Sequence, residues 1–89
     1  MGKPILEHTA IRSEIINQFN QVAKEQGKQL APLSDERALM DTGLDSLCFA
    51  IVVARLEDAL GIDPFSAAED AGFPSTVGEF IRFYEKAAQ

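Results

Sequence analysis

The chain has 89 residues, of which 46% are hydrophobic and 25% charged, which is enough for one small core and typical of a globular domain. Its formal net charge of −6 disfavours binding to nucleic-acid phosphates, so we expect protein partners and no nucleic acid. A single cysteine excludes an intrachain disulfide. The lack of a long apolar run or a signal-peptide pattern predicts a cytoplasmic protein with no membrane span.

The first predicted element is an amphipathic helix over about residues 7–26. Apolar residues recur at spacings of four, four and three along one face, at Ile11, Ile15, Phe19 and Val22. Gly27 follows as a residue that can take a left-handed conformation and end the helix. We therefore predict a long first helix that buries this face.

A long connection over residues 28–44 follows, with Pro32, Thr42 and Gly43 and no sustained apolar period. Loops of this length inside a small domain are uncommon and are often functional. We expect the leucines of this segment to pin it to the core, with at most a short helical turn around residues 35–40.

The next segment predicts a tight turn, a helix and a stop. Gly43 can take the positive φ of a turn, Asp45 is a good N-cap, and Gly61 can end the helix. Ser46 would then lie at the helix N-terminus, where free backbone N–H groups and the helix dipole favour a phosphate. The plainer interpretation is that Asp45 and Ser46 are ordinary capping residues.

This second helix carries apolar residues on two faces. The predicted core face consists of Phe49, Val52, Val53, Leu56 and Leu60. The nearly opposite face consists of Leu47, Ala50, Ile51 and Ala54. Full burial would explain two apolar faces, but Arg55, Glu57 and Asp58 interrupt the second one and favour partial exposure. We predict that this second face, together with Arg55, docks partner proteins.

Two further helices are predicted after Gly61. Asp63-Pro64 is a strong helix start, and Gly72 would end a short third helix. Thr76 and Glu79 have the spacing of a capping box and begin the last helix. Its predicted core face consists of Val77, Phe80, Ile81 and Tyr84.

The stretch Gly43-Leu44-Asp45-Ser46-Leu47, with the helix ending Leu56-Glu57-Asp58-Ala59-Leu60-Gly61, resembles the prosthetic-group region of the acyl carrier protein family. In that family the serine of Asp-Ser-Leu is esterified through phosphate to 4′-phosphopantetheine, whose thiol carries cargo as a thioester. The resemblance implies that Ser46 is the attachment residue and that Asp45 is the helix cap beside it.

The resemblance also implies a set of partners and a fold. The partners are a phosphopantetheinyl transferase, a cargo-loading ligase or adenylating enzyme, and downstream acyl- or aminoacyl-transfer enzymes. The helix pattern itself, with no strand signal, predicts an all-α four-helix bundle with three long helices, one short helix and a long loop between helices 1 and 2. The resemblance makes this bundle one of the acyl-carrier-protein type, and we expect a monomer. It would form a single domain over residues 1–89. The predicted core is Ile11, Ile15, Phe19, Val22, Leu33, Leu44, Phe49, Val53, Leu56, Leu60, Val77, Phe80, Ile81 and Tyr84.

Several features narrow the expected function. Fatty-acid carriers usually have acidic residues along the exposed side of the second helix, where this chain has Cys48 and Ile51, which favours a polyketide, peptide or aminoacyl pathway. We expect Cys48 to be a small space-filling residue.

With one histidine and one cysteine, we predict neither a metal site nor an enzyme. The length is compatible with a free-standing carrier, although excision from a larger synthase stays open. The alternative is an unmodified helical adaptor.

Overall fold

The computed structural model describes residues 8–64 and 73–88. Within these ranges the regular secondary structure is helical, and the only β-type pairing there is an isolated bridge between Ala38 and Thr76. The all-α class is therefore confirmed. The helical elements are α1 (His8–Glu25), a short 3-10 helix (Leu39–Asp41), α2 (Ser46–Leu60) and α3 (Val77–Ala87). The predicted short helix ending at Gly72 lies outside the described residues, apart from its start at Asp63-Pro64.

The ends of the long helices follow the capping residues of the sequence. Gly27 and Gly61 both have a φ of 68°, and they follow α1 and α2 as left-handed stops. Thr76 caps α3, because its Oγ1 accepts a hydrogen bond from the backbone N–H of Glu79 at 3.1 Å. The Glu79 carboxylate reaches back to the N–H of Ser75 at 2.9 Å, one residue earlier than a standard capping box requires.

The core is built where α1 packs against both α2 and α3. The ring of Phe19 on α1 lies 5.9 Å from that of Phe49 on α2 and 5.5 Å from that of Phe80 on α3. Both contacts are edge-on, which is a favoured geometry for aromatic pairs. Phe80 in turn lies 5.1 Å from Tyr84. These rings join the three helices around one apolar centre.

Most of the predicted core is buried, but the prediction was wrong for three residues. Leu33, Val53 and Leu60 are only half-buried and pack against the edge of the core. Ala23 and Cys48 are buried although the sequence patterns did not place them in the core, whereas Val52 is buried as its position on the predicted core face of α2 indicates. On α2 the buried face passes through Cys48, Val52 and Leu56. Compared with the predicted core face, it is rotated about the helix axis toward Cys48 and away from Val53.

The long loop over residues 28–44 is fixed to the helices by polar contacts. The Arg12 guanidinium of α1 binds the Asp35 carboxylate through two hydrogen bonds of 2.9 and 3.0 Å. The backbone oxygen of Asp35 accepts from the N–H of Gly78 on α3 at 2.9 Å. A Cβ atom at Gly78 would lie 2.9 Å from the Asp35 Cβ, so this approach requires glycine. The loop thus packs tightly onto α1 and α3.

Three residues of the loop are held in the interior, namely Leu39, Thr42 and Leu44. Leu39 is buried, as expected for a leucine that pins the loop to the core. Thr42 is fully buried, and its hydroxyl donates to the backbone oxygen of Leu39 at 2.7 Å, which satisfies the buried polar group. The observed helical turn at Leu39–Asp41 lies close to the predicted one around residues 35–40.

Candidate functional site

Ser46 is the first residue of α2, and it is exposed. Asp45 precedes it in an extended conformation and caps the helix, because its Oδ1 atom accepts a hydrogen bond from the Cys48 N–H at 2.9 Å. The first backbone N–H groups of an α-helix have no partner within the helix, and the dipole makes this end electropositive. The Ser46 hydroxyl therefore stands in solvent at a position that suits a negatively charged substituent.

The turn before Ser46 depends on a glycine. Gly43 has a φ of 101°, and a Cβ atom there would lie 2.3 Å from the backbone oxygen of Gln29. Nearby, the N–H of Ala31 donates to the backbone oxygen of Thr42 at 2.9 Å. The start and the end of the long loop therefore lie side by side, and this pairing positions the first turn of α2.

One cation lies beside the cap. The Lys28 Nζ atom is 3.3 Å from Asp45 Oδ2, the carboxylate oxygen that does not cap the helix. The hydrogen bond from Cys48 and, to a smaller extent, the contact with Lys28 lower the pKa of Asp45 to about 2. Asp45 is therefore ionised at neutral pH. The sequence pattern did not include Lys28 in the site, because the contact is made across the loop.

An open groove of about 540 Å³ runs from Ser46 along α2. Among the described residues its lining is apolar except at Ser46, and these lining residues are Met40, Ser46, Phe49, Ala50, Val53 and Phe73. The Phe73 ring lies 6.2 Å from the Phe49 ring. Met40 is 71% exposed and Phe73 is 53% exposed, so two large apolar side chains flank the opening. No periodic pattern in the sequence connects these two residues, which come from different loops.

The residues predicted to dock partners have different surroundings. Leu47 is 63% exposed, and Ala50 and Ala54 are exposed as well. Ile51 is half-buried and packs against the core. The docking role of this face stays a prediction.

Arg55, the fifth predicted docking residue, is occupied by a contact within the domain. Its guanidinium binds the Glu25 carboxylate at the end of α1, with an Nη1 to Oε2 distance of 3.1 Å. This hydrogen bond lowers the pKa of Glu25 and raises the pKa of Arg55. The pair is exposed, so it contributes little to stability, but it directs Arg55 toward α1.

Cys48 lies on the core side of α2. It is 1% exposed, which supports its interpretation as a space-filling residue and corrects its placement on the exposed side of the helix. Cys48 is covered because the buried face of α2 is rotated toward it, compared with the predicted core face. Of the two residues taken to replace the acidic positions of fatty-acid carriers, only Ile51 is partly accessible.

Comparison with known proteins gives one informative match. Over 52 residues, or 58% of its length, the chain is 40% identical to the non-reducing polyketide synthase VdtA of Byssochlamys spectabilis. The chain covers 2% of the length of that synthase. No protein-family model matches the chain, and no solved structure matches it significantly.

Among residues 8–64 and 73–88, no group of three or more His, Cys, Asp or Glu side chains is placed to hold a metal ion. None of the helices in these ranges combines the length and the apolar character needed to cross a bilayer.

Proposed function

We propose that this chain is a carrier domain in which Ser46 holds 4′-phosphopantetheine, on a small four-helix bundle of the acyl-carrier-protein type. The observation that carries the proposal is the exposed hydroxyl of Ser46 at the first residue of α2, on the rim of an apolar groove. When bound, the group supplies a thiol at the end of a flexible arm, which holds an acyl or aminoacyl cargo as a thioester.

The residues around Ser46 suit this group chemically. A phosphodiester on Ser46 would place its negative charge at the electropositive end of α2. Asp45 keeps the first turn of the helix in place, so the backbone that carries the Ser46 hydroxyl has a defined position when a transferase approaches. The groove beside Ser46 gives the apolar part of a cargo a place to leave water.

The similarity to a polyketide synthase supports a cargo from a specialised pathway rather than from housekeeping fatty-acid synthesis. The carrier family that the sequence resembles includes polyketide carriers. The exposed α2 surface next to Ser46 presents Leu47, Ala50 and Ala54, so contact with partners there would be largely apolar. We propose a polyketide cargo first, and a peptide or aminoacyl cargo second.

The proposed partners follow from the role of a carrier. A phosphopantetheinyl transferase would modify Ser46, a cargo-loading ligase or adenylating enzyme would charge the thiol, and acyl- or aminoacyl-transfer enzymes would unload it. The chain would provide the surface that partners recognise and the attachment point, and the partner enzymes would form and cleave the thioester bond to the cargo. We therefore propose that it is not itself an enzyme and acts as a cytoplasmic monomer.

Intact-mass measurement after coexpression with a broad-specificity phosphopantetheinyl transferase tests the proposal. We expect the wild-type chain to gain the mass of one phosphopantetheine, and Ser46→Ala to gain none. Ser13→Ala is the matched control, because Ser13 is an exposed serine on α1 and its loss should leave the gain intact.

The alternative function is an unmodified helical adaptor. The exposure of Met40 and Phe73 at the groove, and of Leu47 next to Ser46 in the chain, favours it, since apolar side chains at a surface commonly bind other proteins. Wild-type protein that gains no mass, under conditions that fully modify a known carrier, would support the adaptor and contradict the carrier.

A further inference from the structure

One pair of charged groups beside Ser46 is in direct contact. Asp45 is the carboxylate next to the hydroxyl, and Lys28 approaches its free oxygen to 3.3 Å. Both side chains are partly exposed, at 38% for Lys28 and 54% for Asp45. Two exposed apolar side chains are also close to Ser46, because Met40 lines the groove with it and Leu47 follows it in the chain. An approaching protein therefore meets this ion pair beside two exposed apolar side chains, although the whole chain carries a net charge of −6.

We propose that Lys28 is a specificity-determining residue, which cancels the charge of Asp45 in the electrostatic field that a partner enzyme meets as it approaches Ser46. This inference rests on the proposed function. Two opposite charges in contact act as a dipole at a distance, and the field of a dipole falls off faster than that of a single charge. Lys28 thus weakens attraction to enzymes that recognise carriers through a basic surface, and leaves recognition to apolar contact.

If the Lys28–Asp45 ion pair had only a structural role, loss of Lys28 would destabilise the domain. Exposed ion pairs contribute little to stability, and the cap of α2 is made by the other oxygen of Asp45, which bonds to the Cys48 N–H. Loss of Lys28 should therefore leave α2 capped and the domain folded. The consequence that distinguishes the proposal is a change in association with a charged partner, with a marked dependence on salt.

The test measures modification kinetics with a broad-specificity phosphopantetheinyl transferase whose carrier-binding face is basic. Lys28→Gln should raise kcat/KM by about three- to tenfold at low ionic strength, mainly through a lower KM, because the charge of Asp45 is then unmasked. The gain should shrink toward unity at about 0.3 M salt, where the Debye length is short. Lys28→Arg should behave as wild type, because it keeps the charge.

Lys24→Gln is the matched control. Lys24 is exposed in the last turn of α1 and has the same charge, so its loss changes the net charge equally. If Lys28→Gln and Lys24→Gln have the same kcat/KM at every salt concentration, or if Lys28→Gln slows modification, the role of Lys28 is overturned. The failure of the proposed function looks different, because then neither wild type nor any variant gains mass, and both proposals fall.

Discussion

The carboxylate of Asp45 accepts a hydrogen bond of 2.9 Å from the backbone N–H of Cys48. This contact fixes the first turn of α2 and leaves Ser46 outside the buried part of the helix. Asp45 and Ser46 are therefore adjacent in sequence but have separate roles. Asp45 caps the helix, and Ser46 is the residue proposed to carry the prosthetic group. Asp45 positions the backbone, and the Ser46 side chain stays accessible.

The cap predicts a dependence of stability on pH. The pKa of Asp45 is about 2 in the folded chain, below its ordinary value of 3.8. Because the folded-state pKa is lowered, the contribution of this carboxylate to stability is present above about pH 4 and is lost as the pH falls through about 2. We expect Asp45→Asn to lose less stability than wild type over this range, measured by urea unfolding at several pH values.

The control for this prediction is Asp58→Asn, which removes an exposed carboxylate near the other end of α2. Its unfolding free energy should follow the wild-type pH dependence. If Asp45→Asn and wild type lose stability in parallel as the pH falls, the cap does not act as described.

Gly43 and Gly27 form a matched pair that tests the turn before Ser46. Both have positive φ, but a Cβ at Gly43 would lie 2.3 Å from a backbone oxygen, whereas nothing lies within 4 Å of a Cβ at Gly27. We expect Gly27→Ala to cost about 1 kcal/mol, which is the conformational penalty alone. Gly43→Ala should cost about 2 kcal/mol more, because the clash is with backbone. Equal losses in urea unfolding would contradict the packing of the loop.

Two leucines of α2 test which of its faces is free. Leu56 is fully buried, and Leu47 is 63% exposed. We expect Leu56→Ala to lower the free energy of unfolding by about 2–5 kcal/mol, and Leu47→Ala to change it by less than about 0.5 kcal/mol. If Leu47 also contacts a partner, Leu47→Ala should raise the KM of the transferase while its thermal unfolding stays as in wild type. A large stability loss at Leu47 would show that this face is covered.

The burial of Cys48 predicts a protected thiol. Cys48 is 1% exposed and is the single cysteine of the chain, so thiol labelling reports on it alone. We expect a thiol reagent to label the native protein at least about a hundredfold more slowly than the urea-unfolded protein, because labelling requires the helix to open. Rapid labelling of the native chain would mean that α2 is rotated relative to this structure.

Much of the fold was predictable because its signals are local. Asp45, Gly61 and Thr76 each cap or end a helix as their residue types indicate, and the spacing from Ile11 to Val22 identified the buried face of α1. These features depend on interactions within one or two helical turns. The exposed position of Ser46 follows from the same local signals.

The buried face of α2, the groove and the Lys28–Asp45 ion pair could not be predicted, because they depend on contacts between distant parts of the chain. The helical repeat gives the direction in which a side chain points, but it does not show which other element covers that side chain. The predicted core face of α2 therefore included Val53 and left out Cys48. The groove brings Met40 of the long loop next to Phe73, and the ion pair joins Lys28 to Asp45 across that loop. The sequence patterns contain no period that relates residues so far apart.

The most direct measurement is the fragment mass spectrum of the peptide that contains Ser46, taken after coexpression with a broad-specificity phosphopantetheinyl transferase. The carrier account predicts one phosphopantetheine, located on Ser46 and on no other serine of the chain. An unmodified Ser46 peptide, from a sample in which a control carrier is fully modified, would contradict it.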